Sequence, residues 1–302
     1  MEKNKNSRLH TKKVRVSTGE KVFRIFNYVL MSAVGIICLY PMWYVLMASF
    51  SSPNKMIMHT GGLLKPLGFS TSAYAKVFAN PNIISGYTNT IFILVVGVSL
   101  CLIMTSLGAY VLSRKNVMWK KPLLLFIMFT MFFSGGMIPF YMNLKSMHLT
   151  NTLWGVILPF MVSTYNMIIL KTSFESIPDS LIEAAQIDGA GHLRILTSIM
   201  LPLSKAALAV QLLYYGVDKW NGWFWASSII RDREKLPLQV ILREILLSST
   251  QNMQAGGGGD TEAIGMTIRY ATIIVATVPI LLIYPFIQKY FAKGVMVGAV
   301  KE

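Results

Sequence analysis

The chain runs to 302 residues, 54% of them hydrophobic and 14% charged, with a mean hydropathy of +0.53. Few soluble domains are that apolar, and several stretches of about twenty apolar residues indicate a polytopic, all-α membrane protein. A net charge of +15 would suit a nucleic-acid binder, but its distribution along the chain follows membrane topology, and nucleic acid is excluded as a partner.

Residues 1–21 are polar and carry Lys3, Lys5, Arg8, Lys12, Lys13, Arg15 and Lys21 without apolar periodicity. They are expected to form a cytoplasmic tail able to touch anionic lipid heads. The first apolar run, 23–50, is too long for the core of a secretory signal and reads as span one. A loop rich in Pro, Gly, Ser and Asn, 51–86, precedes span two at 87–112, and Arg114, Lys115, Lys120 and Lys121 follow it. Span three, 122–142, is interrupted by Gly135, Gly136 and Pro139. A short loop, 143–151, leads to span four at 152–172; span five covers 204–228. A long polar segment, 229–268, precedes span six at 269–291, so the transmembrane domain extends over 22–291 with 292–302 as a cytoplasmic tail. Pro and Gly inside spans are tolerated where neighbouring helices satisfy the freed backbone groups. Cys38 and Cys101 both fall in apolar runs and read as packing residues, neither disulfide-forming nor metal-binding.

Between spans four and five, 175–205 holds the densest run of acids in the chain, Glu175, Asp179, Glu183 and Asp188, beside His192 and Arg194. Each charge at the bilayer midplane costs roughly 2.5–3.5 kcal/mol on insertion scales, so this segment must lie in water. Its punctuation is that of helix, turn and helix. Pro178 and Asp179 suit a first turn, Gly189 a left-handed stop, and Gly191 a second cap. Leu193, Leu196, Ile199 and Met200 then recur at helical spacing until Pro202 ends the element. Ten such residues make a rod of roughly 15 Å, sized to dock in a groove of another protein. With the N-terminus inside, 18 Lys and Arg fall on the inner side and 9 on the outer, with Lys219 left in a span. That asymmetry predicts six spans with both termini cytoplasmic, and it places 175–205 in the cytoplasm as well.

Glu183, Ala184 and Ala185, then Gly189, then Ile199, Leu201 and Pro202 match the spacing of the EAA loop in membrane subunits of ABC-type importers. The flanking text, SIPDSLIEAAQIDGA and IMLPLSKAAL, resembles the carbohydrate-uptake, maltose-permease-like branch. The resemblance implies a type I importer permease fold and a coupling helix at 191–200, seated in a cleft of a cytoplasmic ATPase. Glu183 would be the charged anchor and Gly189 the turn, with Asp188 and Arg194 in the same coupling set. Gly191 departs from the small hydroxyl residue usual there. FSGGMIPFY (133–141) resembles a sub-branch associated with plant or algal polysaccharide fragments, and QKYFAKGVMVGAVKE (288–302) resembles the sugar-permease terminus.

Asp218 and Lys219 fall late in span five, about 100° apart on a helix. Intramembrane charge normally faces a bundle interior or a watery cavity. Asp218, Trp220 and Asn221 are therefore candidates for a translocation path; the alternative is that span five ends early and they sit at the outer interface. By resemblance, Trp220-Asn221 matches a Trp-Asn pair of the family. Tyr87, Asn89, Asn143 and Asn166 are further path candidates, since aromatic faces with amide or hydroxyl partners suit sugars; the alternative is interhelical hydrogen bonding. Residues 247–268, with the glycine run 256–259, read as a flexible outer excursion, either a plain loop or, by resemblance, one reaching toward a solute-binding protein.

No GxxxxGK[ST] phosphate loop occurs, and His10, His59, His148 and His192 show no metal-ligand or nucleophile–base spacing. The expectation is a non-catalytic subunit with no cofactor of its own. ATP and Mg would be bound by a partner ATPase dimer, beside a second permease, an extracytoplasmic solute-binding protein, the lipid bilayer and a sugar substrate. The alternative is an ion-coupled secondary transporter using Asp218, for which 175–205 would be dispensable.

Overall fold

The structure, a computed structural model, describes residues 17–254, 264–282 and 285; most of the N-terminal tail, the glycine run and the 292–302 tail lie outside them. Helix α1 (Thr18–Ser49) leads through two short helices, α2 (Pro53–Ile57) and α3 (Ser72–Phe78), to α4 (Asn82–Ser113). Next come α5 (Lys120–Phe132) with α6 (Met137–Ser146), and α7 (Trp154–Phe160) with α8 (Thr164–Glu175). The acidic segment supplies α9 (Asp179–Ile187), followed by α10 (His192–Leu203), α11 (Lys205–Asn221) and α12 (Phe224–Ile229). Helices α13 (Leu238–Gln254) and α14 (Ile264–Leu282) close the described chain.

Helices α1, α4 and α14 are each long and apolar enough to cross a bilayer unbroken. Three bent pairs, α5/α6 by 112°, α7/α8 by 47° and α10/α11 by 87°, are apolar enough to supply one further span each, in the last pair through α11. Six spans result, but not six straight ones. The expected span 122–142 turns at Gly136, whose φ of 89° is a conformation glycine takes without penalty, and α6 occupies half of the expected loop 143–151. The fourth span breaks at residues 161–163 and runs on past 172 to Glu175. The fifth stops at Asn221, before Gly222, and the rest of 204–228 is the separate helix α12. The segment 229–268 is largely helical where described. In α13, Leu238, Ile241, Leu242 and Ile245 recur on one face, a pattern that the polar average over the segment conceals.

Helix α4 is the axle, with α8, α11 and α13 all packed on it. Close approach needs Gly86: a Cβ there would come 2.5 Å from Ile241 Cδ1 and 3.2 Å from Leu238 Cα. The Leu238 N–H donates to Thr90 Oγ1 at 2.8 Å, a buried bond that sets where α13 begins. Toward the C-terminal end of α4, Thr105 Oγ1 and Tyr215 Oη are 2.6 Å apart, and the Ser163 N–H donates to the same Tyr215 oxygen at 3.1 Å. Three spans meet at that phenol.

One apolar core, including Ile83, Ile93, Ile157, Ile229, Leu238 and Val275, fills the end away from the Arg114–Lys121 basic cluster. A second, around Leu112, Leu170, Phe174, Ile195 and Met200, fills the basic end. Of α1 only Ala48 and Ser49 are buried. Its exposed apolar side chains, such as Phe23 and Ile37, need no cover in lipid, which is as apolar as they are.

Gly155 opens α7 where a Cβ would stand 2.2 Å from the Leu149 carbonyl oxygen and 3.1 Å from Ile229 Cγ2. Gly155→Ala is expected to destabilise the fold by about 1–3 kcal/mol through overpacking, read as a lower thermal midpoint of the purified protein. Gly216→Ala, at a position with open space, leaves that midpoint unchanged or raised.

Candidate functional site

Two features stand at opposite ends of α11. At the basic end, α9 finishes in a double hydrogen-bonded stop. The Ala190 N–H donates to the Ala185 carbonyl at 2.8 Å and the Gly189 N–H to the Gln186 carbonyl at 3.0 Å, with Gly189 at φ 79°. This is a Schellman ending, which needs a residue free to adopt positive φ at the position of Gly189. Ala185 and Ala190, the two residues it brings together, both pack against the lower core. The spacing from Glu183 to Gly189 therefore has a local cause: it turns the chain sharply enough to start α10.

Gly191 caps α10 in an extended conformation but offers no side-chain acceptor. The helix does not end at Pro202; it runs to Leu203 and turns at Ser204. Residues Leu196–Met200 form a wide π turn, in which the Leu201 N–H reaches back to the Leu196 carbonyl. Proline lacks an N–H and its ring presses on the carbonyl four residues earlier, so a widened turn lets the helix pass through it.

The α9–α10 unit is held by one face and bare on the other. Ile182, Ile195, Leu196 and Met200 are buried against Tyr110 and Leu112 of α4 and Leu170 and Phe174 of α8. Tyr110 Oη lies 3.0 Å from His192 Nδ1. Glu175, at the end of α8, accepts from Lys171 Nζ at 2.7 Å and Lys120 Nζ at 3.1 Å. Lys115 bridges to Asp179 and its hydrogen bond holds that carboxyl below the usual range. A depressed carboxyl stabilises the fold above the unfolded value near pH 4 and loses that contribution as acid protonates it, although both groups are exposed and the tie is weak. On the open face, Ile187 is 87% and Leu193 70% exposed, beside the exposed Glu183, Asp188 and Arg194. Ala184 is exposed too, while Ile199 and Leu201 are half-buried and Pro202 exposed.

At the other end of α11 a cavity of about 360 Å³ is lined by Phe160, Asp218, Lys219, Asn221, Trp223 and Trp225 among others. The break after α7 frees the Phe160 carbonyl, which accepts from Lys219 Nζ and from Cys101 Sγ, each at 3.4 Å. Asp218 and Asn221 thus meet, with aromatic residues that reasoning from the sequence had left out although WNGWFW is dense in them. The guanidinium of Arg243 lies 3.5 Å above the Trp223 ring and holds it. Trp220 is buried on a different side of α11, where its Nε1 donates to the Ala276 carbonyl at 3.1 Å. Tyr87 donates to the Val275 carbonyl at 3.4 Å, and Asn89 to the Glu234 and Leu236 carbonyls at 2.7 and 3.2 Å. These three tie elements together and do not line this cavity. Asn166 is buried in the first turn of α8, and Asn143 is exposed on α6. Among the described residues no group of three or more His, Cys, Asp or Glu is placed to hold a metal.

Residues 14–297 match the family described as "Binding-protein-dependent transport system inner membrane component". The chain belongs to that family. It is accordingly a multi-pass inner-membrane permease component of an ABC transport system. It is 40% identical over 284 residues to the polygalacturonan/rhamnogalacturonan transport system permease protein YtcP of Bacillus subtilis, covering 92% of this chain and 96% of that one. Protein LplC of the same organism is 38% identical over 285 residues, covering 93% and 95%. Among solved structures, a chain of a bacterial ABC transporter involved in import of the acidic polysaccharide alginate superposes with a TM-score of 0.81 at 34% identity, covering 91% of this permease and 98% of that chain.

The division of α10 into a glued and a bare face has a direct check. Ile195→Ala, at a fully buried position, is expected to cost about 2–5 kcal/mol and lower the thermal midpoint of the purified permease. Leu193→Ala, two residues away on the bare face, leaves that midpoint in place.

Proposed function

We propose that this permease is one transmembrane subunit of an ATP-driven importer for an oligosaccharide derived from a plant or algal polysaccharide. It works beside a second, homologous permease, an ATPase dimer and an extracytoplasmic solute-binding protein. The relatives named above support the substrate class: one is named for polygalacturonan and rhamnogalacturonan, and the solved neighbour's transporter is described as importing alginate. The subunit itself is non-catalytic, and ATP and Mg are bound by the ATPase subunits. Both termini and the α9–α10 unit lie in the cytoplasm, in keeping with the excess of Lys and Arg on that side.

The observation that carries this reading is the bare face of α9–α10. Two large apolar side chains, Ile187 and Leu193, stand in what must be water, flanked by Glu183, Asp188 and Arg194. Apolar anchors rimmed by charge are what a partner's cleft recognises. At 12 residues, His192–Leu203 makes a rod of about 18 Å. Ser204 joins it to α11 at 87°, so a push on the rod is delivered to the helix whose far end carries Asp218 and Asn221. ATPase closure would then rock one part of the bundle against another, giving alternating access. An ion-coupled transporter working through Asp218 leaves the bare rod without a task.

Glu183→Lys and Leu193→Asp are each expected to abolish ATP-dependent uptake and co-purification of the ATPase, with the permease still inserted in the membrane. Undiminished ATP-dependent uptake in both variants would sink the coupling role.

A further inference from the structure

The cavity at the end of α11 contains a charge that a neutral sugar does not need. Lys219 is only 8% exposed. Its stem runs past Gly97, where a Cβ would stand 3.6 Å from Lys219 Cε, in ordinary van der Waals contact. Its Nζ makes one long hydrogen bond, 3.4 Å to the Phe160 carbonyl, and lies 5.3 Å from the centre of the Phe160 ring. Among the described residues it forms no salt bridge. Asp218, adjacent in sequence, is exposed and projects from a different part of the helix surface. An ammonium has three donors, and the Phe160 carbonyl takes one of them.

A cation buried to this extent favours a close anionic partner. The cavity it lines is otherwise built for a pyranose. Trp223, Trp225 and Phe160 line it, together with Asn221 and Asp218, whose amide and carboxylate can pair with hydroxyl groups. Its volume of about 360 Å³ falls at the low end for small-molecule sites, roughly 300–1,000 Å³. A carboxylate on the sugar ring would supply what Lys219 lacks, two acceptor oxygens of opposite charge. Asp218 repels such a group, so the ring must enter with its carboxylate toward Lys219 and its hydroxyls toward Asp218.

We propose that Lys219 is the carboxylate-binding residue of a uronate subsite in this cavity, completed by Trp223, Trp225, Asn221 and Asp218. The proposal rests on the oligosaccharide-import reading and narrows it to anionic sugars. The competing role for Lys219 is a strut that only satisfies the Phe160 carbonyl.

Two probes separate these roles: trigalacturonate, and its methyl ester, which keeps the rings and loses the charge. Equilibrium binding of each to the purified permease–ATPase complex is compared for wild type, Lys219→Met, Lys219→Arg and Asp218→Asn. Lys219→Met is expected to bind trigalacturonate at least tenfold more weakly while its affinity for the ester stays within twofold. Lys219→Arg keeps the preference for the charged form and controls for folding, and Asp218→Asn weakens the ester, where it loses a hydroxyl acceptor. Trigalacturonate binding that is absent in wild type, unchanged by Lys219→Met, or lost in step with the ester overturns the subsite. Uptake by wild-type vesicles holding the whole transporter is measured alongside. Accumulation of no oligosaccharide with ATP overturns the import reading, whereas accumulation with an unaltered charge preference in Lys219→Met overturns the subsite alone.

Discussion

A bilayer offers no water to a backbone carbonyl or amide, so every interruption of a span must be closed by another part of the protein. The fourth span of this permease breaks at residues 161–163, and two neighbouring helices close it. Lys219 and Tyr215, one turn apart on α11, take the Phe160 carbonyl and the Ser163 amide on either side of the gap. From α4, Cys101 meets the same Phe160 carbonyl, and Thr105, one turn on, hydrogen-bonds the Tyr215 phenol that holds the Ser163 amide. The break and the two helices form one hydrogen-bonded joint, and α11 cannot shift along its axis without disturbing it.

That joint gives the architecture its mechanical sense. Helix α11 is joined through Ser204 to the rod α10, which is fixed to the bundle chiefly by Ile182 from α9 and its own Ile195, Leu196 and Met200, with His192 against Tyr110. Contacts of this kind resist separation but are not directional. The Schellman ending at Gly189 and the π turn before Pro202 set the rod's angle through backbone geometry, where side-chain packing alone would leave it loose. Under the proposed coupling role, a force on the bare face would pass into α11 and arrive beside the aromatic cavity.

The opposite end of the molecule is held by polar struts. Tyr87, Asn89 and Trp220 all spend their donors on backbone carbonyls of α14 or of the loop before α13. Thr90 receives the first amide of α13, and Gly86 lets that helix come close. A sequence does not distinguish an aromatic or amide that faces a solute from one that faces a carbonyl, and Tyr87, Asn89 and Trp220 have carbonyl partners. Two candidates, Asp218 and Asn221, do line the cavity, and the aromatic residues around them come from α7 and from the chain after Gly222.

By itself the sequence determined the membrane class, the number of spans and the turn at Gly189. Each of these follows from the composition of a continuous stretch or from a φ angle that only certain residues accept. Tertiary structure alone decided where three spans bend, that α13 packs as a helix, and which side of α11 meets the cavity. Hydropathy sums a segment without direction, whereas successive residues on a helix point about 100° apart. Lys219 and Trp220 are neighbours of similar burial, yet one reaches toward Phe160 and the other toward Ala276. What separates them is the position of α7 and α14, helices distant in sequence from α11, which no local pattern encodes.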